Sequence, residues 1–519
     1  MTRPLNRRMI TLSIMVATIM QTLDSTIANV ALPHMQGALS ASQDQIAWVL
    51  TAYIVAAAIA TPLTGWLVDR FGQKNLFIAS VIGFTVASAL CGMSNSLTEI
   101  VAARLLQGVF GAALVPMSQM VLMDINPPAK QGSAMAVWGI GVMVGPILGP
   151  TLGGWLTDSY DWRWVFFINV PIGALATYGI WRYIRPVPGA RRTRFDIFGF
   201  ATLSLTIGAL QLLLDRGEQN DWYSSAETWI ETIAMVVALT YFIAHTVLTP
   251  ADKSFFDYRL LKNGNYVSGL LFIFIVGMVM YATRALTPTM LENLLGYPVA
   301  TTGLVTAPSG LGTMLAMLIA GRIIGKIDLR LILLTGFLVS LVALWQMTRY
   351  SLDLSANDIV WPGVVQGFGL GLVFVPLSSA AFATLSPAMR PAGTAIFSLI
   401  RNIGSSIGIS LVQTVLVRNT VAVHAGLVEH ITYANPAWNN PAVASAYDPA
   451  RPAGAAALDA VITQQASMIA YVNDFRLLLY LTLAVIPLLL FIRTPRRTDA
   501  PGAAAPGAAA PVDTHALMD

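Results

Sequence analysis

Apolar residues run along this chain in long uninterrupted stretches divided by short polar breaks. Runs of roughly 18 to 25 residues, enough for an α-helix to cross a hydrocarbon core, number about fourteen. Six lie at 9–30, 46–68, 76–94, 98–122, 133–156 and 163–183. Two more follow near 197–214 and 228–248, and six near 265–287, 301–325, 331–348, 359–383, 392–417 and 475–492. Runs such as Met9 to Val30 and Ala226 to Val247 are continuous and lack the two-residue alternation of a barrel strand. Helices, which satisfy their own backbone groups, are therefore expected as the spanning elements.

The pattern also repeats. Gly65-Trp-Leu-Val-Asp69-Arg70-Phe-Gly72-Gln-Lys74 is echoed by Gly321-Arg-Ile-Ile-Gly325-Lys326-Ile-Asp328-Leu-Arg330, an offset of 256 residues. Gln107-Gly108 is echoed by Gln366-Gly367, and Gly145 and Gly149 by Gly404 and Gly408, both at an offset of 259. Two related six-helix halves with two helices inserted between them give this spacing, a plan used by secondary transporters. The expected division is an N-terminal six-helix bundle over 1–185, a linker with two inserted helices over 186–264, and a C-terminal bundle over 265–493. In the last, 418–473 reads as a long outer loop with a short helix near 454–470. The Pro-, Gly- and Ala-rich stretch 494–519 reads as a disordered cytoplasmic tail.

Composition and charge settle solvent and orientation. Of 519 residues 55% are hydrophobic and only 11% charged, against about a quarter charged in soluble domains. The surface is therefore built for lipid. A net charge of +4 does not indicate nucleic acid, because the basic residues flank apolar spans instead of forming one patch. With the N-terminus inside, about 20 Lys and Arg fall on inner segments and roughly six on outer ones, so both ends are expected in the cytoplasm. Arg3, Arg7 and Arg8 precede a run long enough to span with no small-residue cleavage site behind it, which reads as a retained first helix. Cys91, the single cysteine, rules out an internal disulfide.

Against this apolar background the intramembrane charges carry the chemistry. Asp24 lies inside the first span, where a charge costs about 2.5–3.5 kcal/mol and must face protein or water. A carboxyl held out of bulk water that gains and loses a proton suits proton coupling; a structural partner of an arginine is the competing reading. Helical rise puts Asp24 about 20 Å from the inner end of its span, roughly 10 Å below the outer face. Arg104, in the fourth span, lies about 9 Å in from the outside. The two share a depth, which permits a pair without showing that the helices touch. Asp69 and Arg70 close the second span inside the Gly65…Gly72 loop with Lys74. An interfacial pair ending a helix explains them; the flanking glycines and the copy at 321–330 favour gating. Gly145, Pro146, Gly149, Pro150, Gly153 and Gly154 make the fifth span a close-packing, kinked helix. Gln21, Tyr53, Gln107 and Arg401 are candidate cavity residues, whereas Arg284 falls near the outer end of its span, where it can snorkel.

Together these segments resemble the major facilitator superfamily, specifically its fourteen-span drug:proton antiporter branch of the EmrB/QacA type. The loop at 65–74 looks like the first cytoplasmic-loop motif, with Gln73 where a basic residue is frequent. Arg104-Leu-Leu-Gln107-Gly108 is similar to the proton-linked fourth-helix motif, and 145–154 to the antiporter motif of helix five. Leu23-Asp24-Ser-Thr-Ile-Ala-Asn29-Val-Ala-Leu-Pro33 resembles the branch's first-helix signature. Similarity to the EmrB type extends to Phe166-Phe-Ile-Asn169-Val-Pro171-Ile-Gly173 and Leu214-Asp215-Arg216-Gly217. The resemblance implies an all-α major-facilitator fold in a bacterial inner membrane. It implies proton handling by Asp24 and Arg104, stabilisation of the outward-open state by Asp69 and Arg70, and antiport through the helix-five motif. It also implies hydrophobic or amphipathic drugs as substrates, and a periplasmic adaptor and outer-membrane channel as partners.

Proton-driven drug efflux is thus the expected function, with the proton gradient as energy source and no cofactor. A same-fold exporter of one endogenous metabolite or siderophore is the near alternative. An integral membrane enzyme is disfavoured: no catalytic residue or metal site is expected, since the five histidines (His34, His245, His424, His430, His515) have no metal-like spacing and no phosphate-binding loop occurs. A channel fits the asymmetric halves poorly.

Overall fold

Nearly every apolar run becomes a helix in a computed structural model of the chain, which describes residues 6–186, 195–250, 254, 256–432 and 440–491. In order the helices are α1 (Arg7–Ala38), α2 (Gln43–Ala60), α3 (Leu63–Phe71), α4 (Gln73–Met93), α5 (Leu97–Gly111), α6 (Leu114–Ile125), α7 (Pro128–Ser159), α8 (Trp164–Phe167) and α9 (Asn169–Tyr183). Then come α10 (Ile197–Arg216), α11 (Ala226–Leu248), α12 (Gly264–Thr289), α13 (Val299–Ile323), α14 (Leu329–Met347), α15 (Ala356–Ala383), α16 (Arg390–Glu429), α17 (Pro441–Ala446) and α18 (Pro452–Val485). Among the described residues thirteen helical stretches are long and apolar enough to cross a membrane, fourteen with the bent pair α2–α3 counted as one. That pair bends by 59° at Thr61-Pro62, because proline cannot donate to the helix ladder.

Short polar signals set the ends of otherwise apolar helices. Ser42 and Gln45 form a reciprocal capping box at the start of α2, and Ser96 accepts from the Glu99 amide at the start of α5. Gly72 ends α3 with φ 80°, and Gly325, two residues past the end of α13, has φ 82°, a backbone region that side chains with a Cβ avoid. Each half thus places a positive-φ glycine between its second and third spans.

The repeat also recurs in the packing. Gly108 on α5 meets the Tyr53 carbonyl on α2, and Gly367 on α15 meets the Ser309 carbonyl on α13. Gly145 on α7 lies on the α1 backbone at Thr22 and Leu23, while Gly404 and Gly408 on α16 lie on the α12 backbone at Phe274 and Met278. Each fourth helix therefore rests on its second helix, and each fifth on its first. Between the halves, α7 runs along α13, and α16 packs on α3 and α6. The inserted helices pack on each other, and α10 touches α2 and α16, with Ala58, Ile207 and Leu399 forming an apolar knot there.

One expectation is corrected. The segment 418–473 is largely helix: α16 runs on to Glu429 and α18 starts at Pro452, while 433–439 lie outside the described residues. A hydropathy window ends where polarity rises, but a helix with solvated side chains continues past that point. At 40 and 34 residues the two helices are about 60 and 50 Å long, well beyond a core of about 30 Å. His424 Nε2 and Asp459 Oδ1, 3.0 Å apart, join their outer parts. The tail from 494 and the basic residues Arg191, Arg192 and Arg194 lie outside the described residues.

On α18, Asp474 is fully buried beside Tyr471 and Phe475, and neither carboxyl oxygen has a hydrogen-bond partner among the described residues. A buried polar group without a partner costs about 1–3 kcal/mol. Asp474→Leu is expected to stabilise the protein by a similar amount, seen as a higher unfolding midpoint in detergent; a lower midpoint would show that the carboxyl is satisfied in solution.

Candidate functional site

Asp24 sits where α1, α5 and α9 meet, completely shielded. Arg104, 1% exposed, donates from Nη1 to Asp24 Oδ2 at 2.8 Å and from Nε to the Val49 carbonyl at 3.0 Å. Gln107 lies one turn beyond Arg104 on α5, so it faces the same way. Its Nε2 donates to Asp24 Oδ1 at 2.8 Å, and its Oε1 accepts from Arg104 Nη1 at 2.8 Å. Asn169 Nδ2 donates to Asp24 Oδ1 at 2.8 Å and to Ser88 Oγ at 3.0 Å, and Ser88 donates onward to the Phe166 carbonyl. The carboxylate thus accepts one guanidinium and two amides. Taking both charges out of water is tolerable only with such saturation, and removing one partner of a buried pair costs about 3–5 kcal/mol.

The shared depth of Asp24 and Arg104 is therefore an actual contact. Tyr53 stacks over the Arg104 guanidinium, 4.3 Å from ring centroid to Cζ, and accepts a hydrogen bond from Gln21 Nε2 at 3.1 Å. Gln21, Tyr53 and Arg104 also line a cavity of about 730 Å³ between the two halves, within the size range of drug sites. One side of the Asp24–Arg104 pair therefore borders the space that a substrate would fill.

Of the residues expected in the cavity, Gln21, Tyr53 and Arg401 line it. Gln107 does not: it is fully buried behind the wall as a partner of Asp24. Arg284, expected to snorkel outward, instead lines the cavity with Tyr281 and Gln366. Counting rise along a helix gives depth but not the face on which a side chain leaves. Asn169, a further partner of Asp24, has one signal in the sequence: an amide among Phe and Ile residues in an apolar span.

The glycines of α7 meet α1 at a spacing of four residues. Gly141 faces Met15, Gly145 the Thr22 backbone, Gly149 Thr26 and Gly153 Ile27, so the groove runs past Asp24 on both sides. Thr26 Oγ1 donates to the Gly145 carbonyl at 3.1 Å. Pro146 and Pro150 line the cavity, and Gly154 faces open space.

At the inner end, Gly65 brings α3 against the Ala392 backbone of α16, with room for a Cβ only at 3.1 Å. Lys74 Nζ donates to the Trp181 carbonyl at 2.6 Å, Asp69 is half-buried and Arg70 is exposed. An ion pair that sequence reasoning missed joins the halves here: Arg390 Nη1 to Asp124 Oδ1 at 3.1 Å, with Gln73 Nε2 3.4 Å from Asp124 Oδ2. Its members are 266 residues apart, and no local pattern connects them. Gly132 against Ile324 and Gly321 against Ala136 close the same end. The cavity wall, by contrast, includes Asn29, Pro33, Thr289 and Glu292 from the outer parts of α1 and α12 and the turn after α12. The arrangement is closed inside, with the cavity extending outward. Asp124→Asn should shift the balance toward inward opening by about two- to fivefold, given the modest worth of partly exposed pairs. Labelling of an Ala57→Cys variant from the cytoplasmic side would report it, and an unchanged rate would show that the pair is not a latch.

The sequence model of the Major Facilitator Superfamily matches residues 14–409, most of the chain. The chain belongs to that superfamily. It is 37% identical over 428 residues to the multidrug export protein EmrB of Escherichia coli strain K12, covering 82% of this chain and 83% of that protein. It is likewise 37% identical over 425 residues to the fatty acid resistance protein FarB of Neisseria gonorrhoeae, covering 82% and 83%. Among solved structures it resembles the human organic anion transporter MFSD10, with a TM-score of 0.57 at 15% identity over 92% of this chain and all of that one. It also resembles a bacterial homologue of the lysosomal transporter Spinster, with a TM-score of 0.56 at 16% identity over 96% of this chain and all of that one. At such identities the structural likenesses show the fold alone. This is a major-facilitator transporter of the EmrB type, multi-pass in a bacterial inner membrane, and the fold is that of transporters.

Proposed function

We propose that the chain exports hydrophobic and amphipathic drugs by proton antiport, powered by the proton gradient and without a cofactor. The observation that carries this reading is the Asp24–Arg104 pair, shielded from water yet bordering the cavity between the halves through Arg104 and Tyr53. A proton arriving at Asp24 removes one charge of the pair and frees Arg104 to turn toward the cavity. That change couples proton occupancy to the balance between the two access states. The glycine groove of α7 lets α1 shift without losing contact. The Asp124–Arg390 pair and the Gly65–Ala392 contact hold the inner end shut.

Multidrug export and not one endogenous metabolite is supported by the names of the EmrB relatives and by a cavity that mixes apolar walls with a few polar groups. Assembly with a periplasmic adaptor and outer-membrane channel belongs to the same reading, with the outer extensions of α16 and α18 as the parts that project furthest toward such partners. Purified protein in proteoliposomes should move a fluorescent drug against its gradient when the pH gradient is imposed and stop when a protonophore collapses it. Transport indifferent to the protonophore would overturn antiport.

A further inference from the structure

Two guanidinium groups in the cavity wall have no counter-charge among the described residues. Arg284, on α12, places Nη2 3.1 Å from the Met143 sulfur on α7, and its buried Nη1 has no partner among the described residues. A thioether is a weak acceptor, so this contact leaves the charge unanswered. Arg401, on α16, is 7% exposed; among the described residues its Nε is unpartnered and its Nη2 makes only a long 3.4 Å contact with the adjacent Asn402. Neither forms an ion pair with any described residue. The Arg401 backbone packs against Gly277, one face of α12, so Arg284 stands about 10 Å further outward along that helix. The third arginine in the wall, Arg104, is already engaged by Asp24. The one acidic residue among the described lining residues, Glu292, lies eight positions beyond Arg284, about 12 Å outward.

The N-terminal half lines the cavity with apolar groups such as Val142, Pro146 and Ile147 and with neutral polar ones such as Gln21, Thr26 and Asn29, and with no acidic residue among the described lining residues. A cavity with unpaired cations on one wall and apolar side chains among neutral polar ones on the other fits a ligand with an acidic head and an apolar body. Guanidinium is the group best shaped to grip a carboxylate with two parallel hydrogen bonds.

We propose that the export site selects amphipathic organic anions, with Arg284 as the principal anchor of the acidic group and Arg401 as the second. This inference rests on the export reading and narrows its substrate class. Arg284 reaches from the C-terminal half to the wall of the N-terminal half, so an anion held there touches both. Its affinity must differ between the two access states, as transport requires. The charge moved per cycle follows: for each proton exchanged, outward passage of a monoanion carries two charges across the membrane, whereas a neutral substrate carries one. An interior-negative potential then assists export of the anion more than that of its neutral analogue.

The test uses three probes of one shape: 2-naphthoate, its methyl ester, and (2-naphthylmethyl)trimethylammonium. Binding to the purified full chain in detergent, followed by calorimetry, should rank them in that order, with the carboxylate about tenfold tighter than the ester. Arg284→Gln should reduce the carboxylate-to-ester affinity ratio about tenfold, Arg401→Gln by less, and Arg284→Lys should restore part of it. Equal affinities in the unaltered protein, preference for the ammonium probe, or an unchanged ratio in both glutamine variants would overturn the anion site. Transport of the same probes in proteoliposomes reads the other question. A carboxylate that binds selectively but is not driven by the pH gradient removes the antiport reading and leaves the anion site standing.

Discussion

Asp24→Asn should bring proton-driven export down to the level of empty liposomes while leaving a folded, membrane-inserted protein. The substitution keeps the shape of the side chain and an oxygen to accept from Arg104, and the Asn169 amide, whose Oδ1 has no partner among the described residues, can turn to accept from the new NH2 group. What it removes is the site that takes and gives a proton. Arg104 also loses its counter-charge at a position 1% exposed, a change costing about 3–5 kcal/mol. The variant should therefore favour whichever access state lets Arg104 reach the cavity and its water. Uptake driven by an imposed pH gradient, measured beside exchange of labelled for unlabelled drug without a gradient, separates the outcomes. Loss of the first with survival of the second is expected, because exchange needs no proton release. Undiminished pH-driven export would remove Asp24 from the coupling step; loss of both, with a collapsed elution profile, would mark a folding defect.

The legibility of this site in sequence was uneven, for physical reasons. Hydropathy fixes how deep a residue lies, and depth alone put Asp24 and Arg104 at one level. Which faces meet depends on helix rotation, which a nearly all-apolar helix does not encode. For that reason the sequence does not show that Arg284 turns into the cavity or that Gln107 turns away from it to Asp24. The repeat, by contrast, was legible and carries more than architecture. Applying its offset of 259 to Asp24 lands on Thr283, and Gln366, the echo of Gln107, donates to Thr283 Oγ1 at 2.9 Å. The same offset from Arg104 lands on Gly363. The C-terminal half thus keeps a neutral copy of a bond that in the N-terminal half joins an amide to a carboxylate, and only the N-terminal copy is charged. Contacts such as Asp124–Arg390 depend on how the halves close and have no local signature. The outer extensions of α16 and α18 were hidden because hydropathy reports the bilayer and not the helix.

Gly145→Ala should cost the protein more than any other single-methyl change in α7, whereas Gly154→Ala should be close to neutral. At Gly145 an added Cβ would run into the backbone of Thr22 and Leu23, the two residues just before Asp24 on α1. Backbone cannot swing aside as a side chain can, so α1 and α7 must separate, at about 1–3 kcal/mol for overpacking. The separation also lengthens the Thr26 bond to the Gly145 carbonyl and moves Asp24 relative to Arg104 and Asn169, whose bonds to it are all 2.8 Å. Export should fall at least about tenfold, since misplacing reacting groups by even an ångström is costly. At Gly154 a Cβ would meet nothing within 4 Å, and alanine has the better helix propensity by about 1 kcal/mol. Both glycines belong to the same motif by sequence, so the pair separates close packing on α1 from a general need for flexibility. Equal losses at the two positions would point to hinge bending throughout α7, and equal tolerance would show that α1 is free to yield.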